Sequence, residues 1–233
     1  MRNPEQRLYI LYVLLVLGDI FCLNFQPELR WFTKPLLMPV LLLAFRREVA
    51  VVEAHSRRIM LALILSWFGD VLLMFSGPGM FIAGLTAFLC AHIVYIAYFR
   101  SIRSQKTSFL KRRPVMLLAV VVYVIELLHI LWPGLGSMAF PVMVYAVVIG
   151  TMLAFACWQY GKLSDRTALL FMAGALCFVL SDSMLAIARF RFPFTHSGTL
   201  VMSTYCIAQL LLSKGAASHL RELAAPGLSG EHP

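Results

Sequence analysis

Apolar runs dominate this chain, at about 8–25, 31–45, 58–76, 79–99, 114–132, 138–160, 167–188 and 198–214, divided by short basic or Pro/Gly-bearing breaks. A helix needs roughly 20 mostly apolar residues to cross the hydrocarbon of a bilayer. Eight such runs leave no room for a soluble domain. Hydrophobic residues make up 61% of the sequence and charged residues 13%, against ~45–50% and ~25% in soluble domains. The sequence predicts an all-α polytopic membrane bundle of eight transmembrane helices. It forms one domain over 1–215, followed by a disordered cytoplasmic tail over 216–233 that carries Pro226, Gly227, Ser229 and Gly230. The first run follows Arg2 and Arg7 like a signal peptide but lacks a small-x-small cleavage site, so it reads as a retained span.

The formal net charge of +9 raises nucleic acid as a partner, and the positions of the charges decide against it. With both termini cytoplasmic, sixteen of the twenty Lys and Arg residues fall on the inner side, in the terminal segments and the loops near 46–58, 100–113 and 162–166. Only Arg30, Lys34, Arg189 and Arg191 fall outside. That asymmetry is the positive-inside pattern, and it points to a bacterial inner-membrane protein whose basic loops lie on the membrane surface. The five cysteines all lie within apolar runs with no C-x-x-C pair, which disfavours disulfides and a structural zinc. Pro35 suits the start of the second helix, whereas Pro39 is expected to kink it and open its backbone toward a cavity.

Two aspartates lie deep inside spans, Asp70 in ALILSWFGDVLLMF (62–75) and Asp182 in AGALCFVLSDSMLAIA (173–188). A carboxylate at that depth costs roughly 2.5–3.5 kcal/mol on insertion scales, a cost carried for a partner, a wet cavity or a reaction. Neither has a Lys or Arg near its depth to pair with. Asp19 and Glu126 occupy equivalent positions, so that each outward-running span carries one acid, 51, 56 and 56 residues apart in order. This hints at a repeated helix pair. Asp19 is expected near water, and Glu126 to pair with His129. The pairs bearing Asp70 and Asp182 are expected to face each other.

His92 and Tyr95 share a helix face, as do Tyr205 and Gln209. With Tyr145, and with Ser66 one turn below Asp70, they are candidates to line a polar cavity, the bland reading being interhelical hydrogen bonds. Lys34 and Arg189 break the inside-positive trend and are candidates for holding a lipid phosphate above the aspartates, Arg through its bidentate fork. The alternative for these cations is snorkelling to headgroups. No H-x-x-x-H, H-E-x-x-H or G-x-S-x-G spacing occurs, so neither a zinc site nor a serine nucleophile is expected.

Several segments occur together in order: Thr33-Lys34-Pro35-Leu36-Leu37-Met38-Pro39, Gly69-Asp70-Val71-Leu72-Leu73, Phe81-x-x-Gly84-Leu85 with Phe88, Ala91-His92-x-x-Tyr95, Tyr145 with Met152, Ser181-Asp182-x-x-Leu185-Ala186 followed by Arg189-Phe190, and Tyr205-x-x-x-Gln209. The ordered set resembles the YhhN-like lysoplasmalogenase family of integral membrane hydrolases, with Ala188 departing from the polar residue expected before Arg-Phe. The resemblance implies hydrolysis of the vinyl-ether bond of lysoplasmalogens to a fatty aldehyde and glycerophospho-ethanolamine or glycerophospho-choline. It also implies that Asp70 and Asp182 are the essential acids, with no metal or cofactor, and that the partners are the lysophospholipid substrate and membrane lipids.

That chemistry suits two carboxyls. Proton transfer to the β-carbon of a vinyl ether gives an oxocarbenium ion, which water captures as a hemiacetal. One carboxylic acid and one carboxylate serve such a path, as in glycosidases. From their sequence neighbours, Asp70 beside Trp67, Phe68 and Val71 is expected as the acid, and Asp182 between Ser181 and Ser183 as the ionised partner. His92, Tyr95, Tyr145, Tyr205 and Gln209 are then expected to orient the aspartates or water. A proton-coupled transporter or lipid carrier using the same aspartates is the competing reading, and a metal-dependent lipid amidase or esterase a third.

Overall fold

The computed structural model describes residues 4–49, 54–102, 104 and 115–224. Eight α-helices hold nearly all of them: α1 (Pro4–Phe25), α2 (Arg30–Glu48), α3 (Ala54–Leu72), α4 (Pro78–Ser101), α5 (Val115–Leu135), α6 (Ala139–Trp158), α7 (Asp165–Phe190) and α8 (Ser197–Ala224). Single 3-10 turns join α1 to α2 and α5 to α6, and no strand occurs among the described residues. Five helical stretches are long and apolar enough to cross a membrane: α1, α4, the continuous stretch Val115–Trp158 that contains α5 and α6, α7 and α8. Outward-facing Leu14 and Leu17 are each 59% exposed and Phe140 is 72% exposed, as expected where lipid takes the place of water.

Local chemistry sets the helix ends. Gly77 takes a φ of 119° in the turn after α3, and Pro78 begins α4 at a position that needs no N–H donor. Ser164 caps α7, its Oγ accepting from the Thr167 N–H at 3.3 Å. Within α2, Pro39 has no N–H to offer the carbonyl four residues back, which is that of Pro35. The Trp67 indole on α3 donates to that oxygen at 2.9 Å. The backbone opening expected at Pro39 is therefore closed by a neighbouring helix.

α3 packs on α4, and α7 on α8. A Cβ at Gly69 would lie 2.5 Å from the Phe88 ring and one at Gly84 2.8 Å from Leu73, so two side-chain-free positions let α3 and α4 approach closely. Contacts of α4 with α6, α6 with α7, and α3 with α8 close a ring of five helices. α2 packs against α3 and α8, α1 against α2 and α8, and α5 against α6 and α7. The main core runs through the ring. A smaller cluster of Leu131, Leu135 and Val142, with Ala186 and Phe190 against it, lies where α5, α6 and α7 meet.

At the opposite end from the α3–α4 turn, Glu48 ties three helices together: it accepts from Tyr9 of α1, from Lys214 at 3.1 Å and from Arg221 of α8. α8 thus continues past the boundary expected at 215, as far as Ala224. Ala216, Ala217 and Leu220 are buried, and Tyr98 bonds His219 Nδ1 at 2.9 Å. Residues 225–233 lie outside the described residues. The polar composition that suggested a tail conceals a small-residue face that packs inside the bundle.

Candidate active site

Asp70 and Asp182 line the same cavity, of about 430 Å³, in the half of the bundle that holds the α3–α4 and α7–α8 turns. Lys34, Arg30, Arg189 and Tyr205 line it too, with Ser76, Gly77, Ser197 and Gly198 at the turns. The two helix pairs therefore face each other across one space.

The carboxyls differ in their surroundings. Asp70, 2% exposed, accepts from the Tyr205 hydroxyl at 2.6 Å through Oδ2, and its Oδ1 lies 3.9 Å from Lys34 Nζ. Lys34 is itself buried at 6% exposure. An ammonium beside a buried carboxylate favours the ionised form of that carboxylate. Asp182 Oδ2 accepts from the Tyr145 hydroxyl and lies 3.8 Å from His92 Nε2. No Lys or Arg pairs with Asp182 among the described residues. The His92 ring stands edge-on to Phe178 and Tyr145.

These contacts overturn the expectation that no cation reaches either aspartate: Lys34 reaches Asp70 from the neighbouring helix α2. They also remove the basis on which sequence neighbours distinguished the two acids. Ser181 donates to the Val201 carbonyl at 3.0 Å, and Ser183 donates to the Val179 carbonyl at 2.7 Å. Trp67 points to α2, and Phe68 is 48% exposed on the outer surface. Positions adjacent along a helix do not face each other.

Ser66, His92, Tyr95 and Gln209 do not line the cavity. Ser66, Tyr95 and Gln209 form a hydrogen-bonded layer: Tyr95 donates to Gln209 Oε1 at 2.7 Å, and Gln209 donates to Ser66 Oγ at 2.9 Å, one turn below Asp70. Tyr145 borders a separate small pocket of about 40 Å³ on the far side of Asp182. Arg189 lies over the Phe81 ring, 5.1 Å from its centroid. Sequence reasoning missed Arg30 as a cavity residue. It is held by Asp19, whose Oδ2 lies 3.4 Å from Arg30 Nε while Oδ1 accepts from Thr33 at 2.7 Å. Asp19 is 1% exposed, so it is a buried partner of Arg30 and not a group near water. The one-turn spacing of Arg30 and Lys34 on the second helix was the available signal. Glu126 is exposed on α5, and no ion pair joins it to His129 among the described residues. No group of three His, Cys, Asp or Glu side chains among those residues is arranged to hold a metal ion.

A model of the YhhN family matches residues 29–216. Among curated proteins, the chain is 30% identical to lysoplasmalogenase TMEM86A of Bos taurus over 187 residues, covering 75% of this chain and 71% of the relative. It is 31% identical to lysoplasmalogenase TMEM86B of Homo sapiens over 203 residues, 84% and 80% of the two chains. It is 30% identical to a lysoplasmalogenase of Mycobacterium tuberculosis over 185 residues, 74% and 69%. No solved structure matches the chain.

Proposed function

Since the chain belongs to the YhhN family, we propose that it is a lysoplasmalogenase that works from within the bilayer with Asp70 and Asp182 as its two acids. Its substrates are 1-alkenyl lysophospholipids, and its products are a fatty aldehyde and glycerophospho-ethanolamine or glycerophospho-choline. The observation that carries the reading is the unequal pairing of the two carboxyls on one cavity, Asp70 with Lys34 at 3.9 Å and Asp182 with His92 but no Lys or Arg among the described residues. The topology that accompanies it is eight spans with both termini in the cytoplasm of a bacterial inner membrane. In it the inside-positive asymmetry puts Arg30, Lys34 and Arg189 at the outer face.

The pairing supports a division of labour opposite to the one that sequence neighbours suggest. Asp182, uncharged, donates its proton to the β-carbon of the vinyl ether, and the α-carbon and ether oxygen become an oxocarbenium ion. Asp70, kept as a carboxylate beside Lys34, stabilises that cation and takes a proton from the attacking water. The hemiacetal then collapses: its hydroxyl returns a proton to Asp182, Asp70 protonates the departing glycerol oxygen, and both acids are restored. Lys34 and Arg189 hold the phosphate, with Arg30 beside them. Tyr145, Tyr205 and His92 orient the carboxyls, and the Ser66–Gln209–Tyr95 layer fixes α3, α4 and α8 behind them.

Asp70→Asn and Asp182→Asn are each expected to lower aldehyde release from a 1-alkenyl lysophospholipid by at least 10²-fold, the lower range for a positioned acid or base, in protein that still purifies as a folded species. Turnover near wild type in either variant would defeat the mechanism. Substrate movement across liposomes without aldehyde formation would favour a transporter.

A further inference from the structure

The cavity that holds the cations and the small pocket behind Asp182 are opposite in character. The first carries Arg30, Lys34 and Arg189. The second, apart from Asp182 and the Tyr145 ring, is walled by apolar side chains that include Leu85, Val142 and Ala186. Leu73, Phe81, Phe88 and Leu185 line both spaces, and the only charged residue common to them is Asp182. The pocket also lies on the seam between the two hydrophobic clusters: Leu85, Phe88 and Tyr145 belong to the main one, Val142, Ala186 and Phe190 to the smaller one. At this seam the packing between the two clusters is interrupted by the pocket.

We infer that this pocket, between α4, α6 and α7, takes the first carbons of the substrate's alk-1-enyl chain and admits the chain from the bilayer along the seam. The inference rests on the lysoplasmalogenase reading and says which side of the catalytic pair the hydrocarbon occupies. A volume of about 40 Å³, with ~10–15 Å³ needed for one water-sized group, holds roughly three or four carbons. Beyond these the chain lies in the seam and the lipid. The chemistry fits the direction. The carbon that is protonated is on the chain side of the vinyl ether, and Asp182 is the carboxyl that faces the chain pocket. The carbon attacked by water is on the glycerol side, and Asp70 lines only the polar cavity. A larger apolar groove of about 590 Å³ between α5 and α6, lined by Val124 and Val147 among others, is the rival seat for a chain, but it contains neither aspartate.

The test uses the full-length protein in lipid nanodiscs with a saturated-ether analogue, 1-O-hexadecyl glycerophospho-ethanolamine bearing a diazirine at carbon 3 of the chain. The expected result is photolabel on the peptides that carry Leu85, Val142 or Ala186, reduced at least tenfold by Ala186→Phe, which fills the pocket. Label concentrated at Val124 or Val147, or pocket labelling unchanged in Ala186→Phe, would overturn the inference. Val142→Ala keeps the question open to test if the bulky variant does not fold. The wild type should release aldehyde from a 3-methyl-branched alkenyl substrate at least tenfold more slowly than from the unbranched one, and Val142→Ala should recover at least fivefold of that difference. An unchanged ratio would count against the pocket. Labelling needs no hydrolysis, so pocket label without aldehyde release would refute the enzyme reading while upholding the chain site.

Discussion

Lys34 Nζ lies 3.9 Å from Asp70, whereas Asp182 has a tyrosine hydroxyl and the His92 ring as polar company. Such a difference cannot be read along the chain: Lys34 and Asp70 are 36 positions apart on different helices. The two aspartates themselves were legible, because a carboxylate in an apolar span stands out in any sequence. Their roles were not, because Trp67, Ser181 and Ser183 direct their donors to backbone carbonyls and Phe68 lies on the outer surface. The assigned roles predict unequal effects of two matched substitutions. Hydrogen bonds to charged groups are worth about 1.5–3 kcal/mol and neutral ones about 1 kcal/mol, and 1.36 kcal/mol is tenfold in rate. Tyr205→Phe, at the ionised Asp70, should lower kcat/KM for aldehyde release roughly 10–100-fold. Tyr145→Phe, at the uncharged Asp182, should lower it less than tenfold. Steady-state kinetics on both variants with one alkenyl substrate decide this, and the reverse order would exchange the roles.

Helix by helix, the sequence marked the runs, the Pro/Gly breaks and the two pairs that bear the acids. It could not show what meets the gap at Pro39. That gap is a bond between elements: the Trp67 indole of α3 takes the carbonyl that Pro39 leaves free on α2, one residue from Lys34. Trp67→Phe orphans a carbonyl inside the protein, a cost of about 1–3 kcal/mol, or roughly 2–12 °C in melting temperature at this chain length. Pro39→Ala restores the missing N–H within α2, so in that background Trp67→Phe should cost less than half as much. A double-mutant cycle by thermal unfolding measures the coupling, and additive effects would mean that the indole is not the carbonyl's partner. The same limit explains the end of α8, where the Glu48 anchorage and the fit of Ala216 and Ala217 are properties of the assembled bundle.

At the scale of the molecule, the α3–α4 and α7–α8 turns lie at the cavity, and the Glu48 cluster ties α1, α2 and α8 together at the other end. In the proposed orientation, with both termini cytoplasmic, the cavity would open away from the cytoplasm. Cysteines introduced at Ser76 or Ser197 should react with a membrane-impermeant maleimide in intact cells, and one at Ser218 only after the cells are made permeable. The opposite pattern would invert the topology. At this level the all-helical, apolar character was legible in sequence, because apolar length acts over whole segments, while the orientation is what the cysteine labelling tests.

The meeting of a polar space and an apolar one at Asp182 bears on the fate of the products once the bond is cut. In the proposed reaction the two halves of the molecule would leave for different phases. A long-chain aldehyde stays dissolved in hydrocarbon, held by ~0.8 kcal/mol for each methylene, while the zwitterionic glycerol phosphodiester is released to the aqueous side. Under that reading, recombination requires the two to meet at the junction again from opposite sides, which slows product rebinding and leaves the equilibrium itself to the reactants and products.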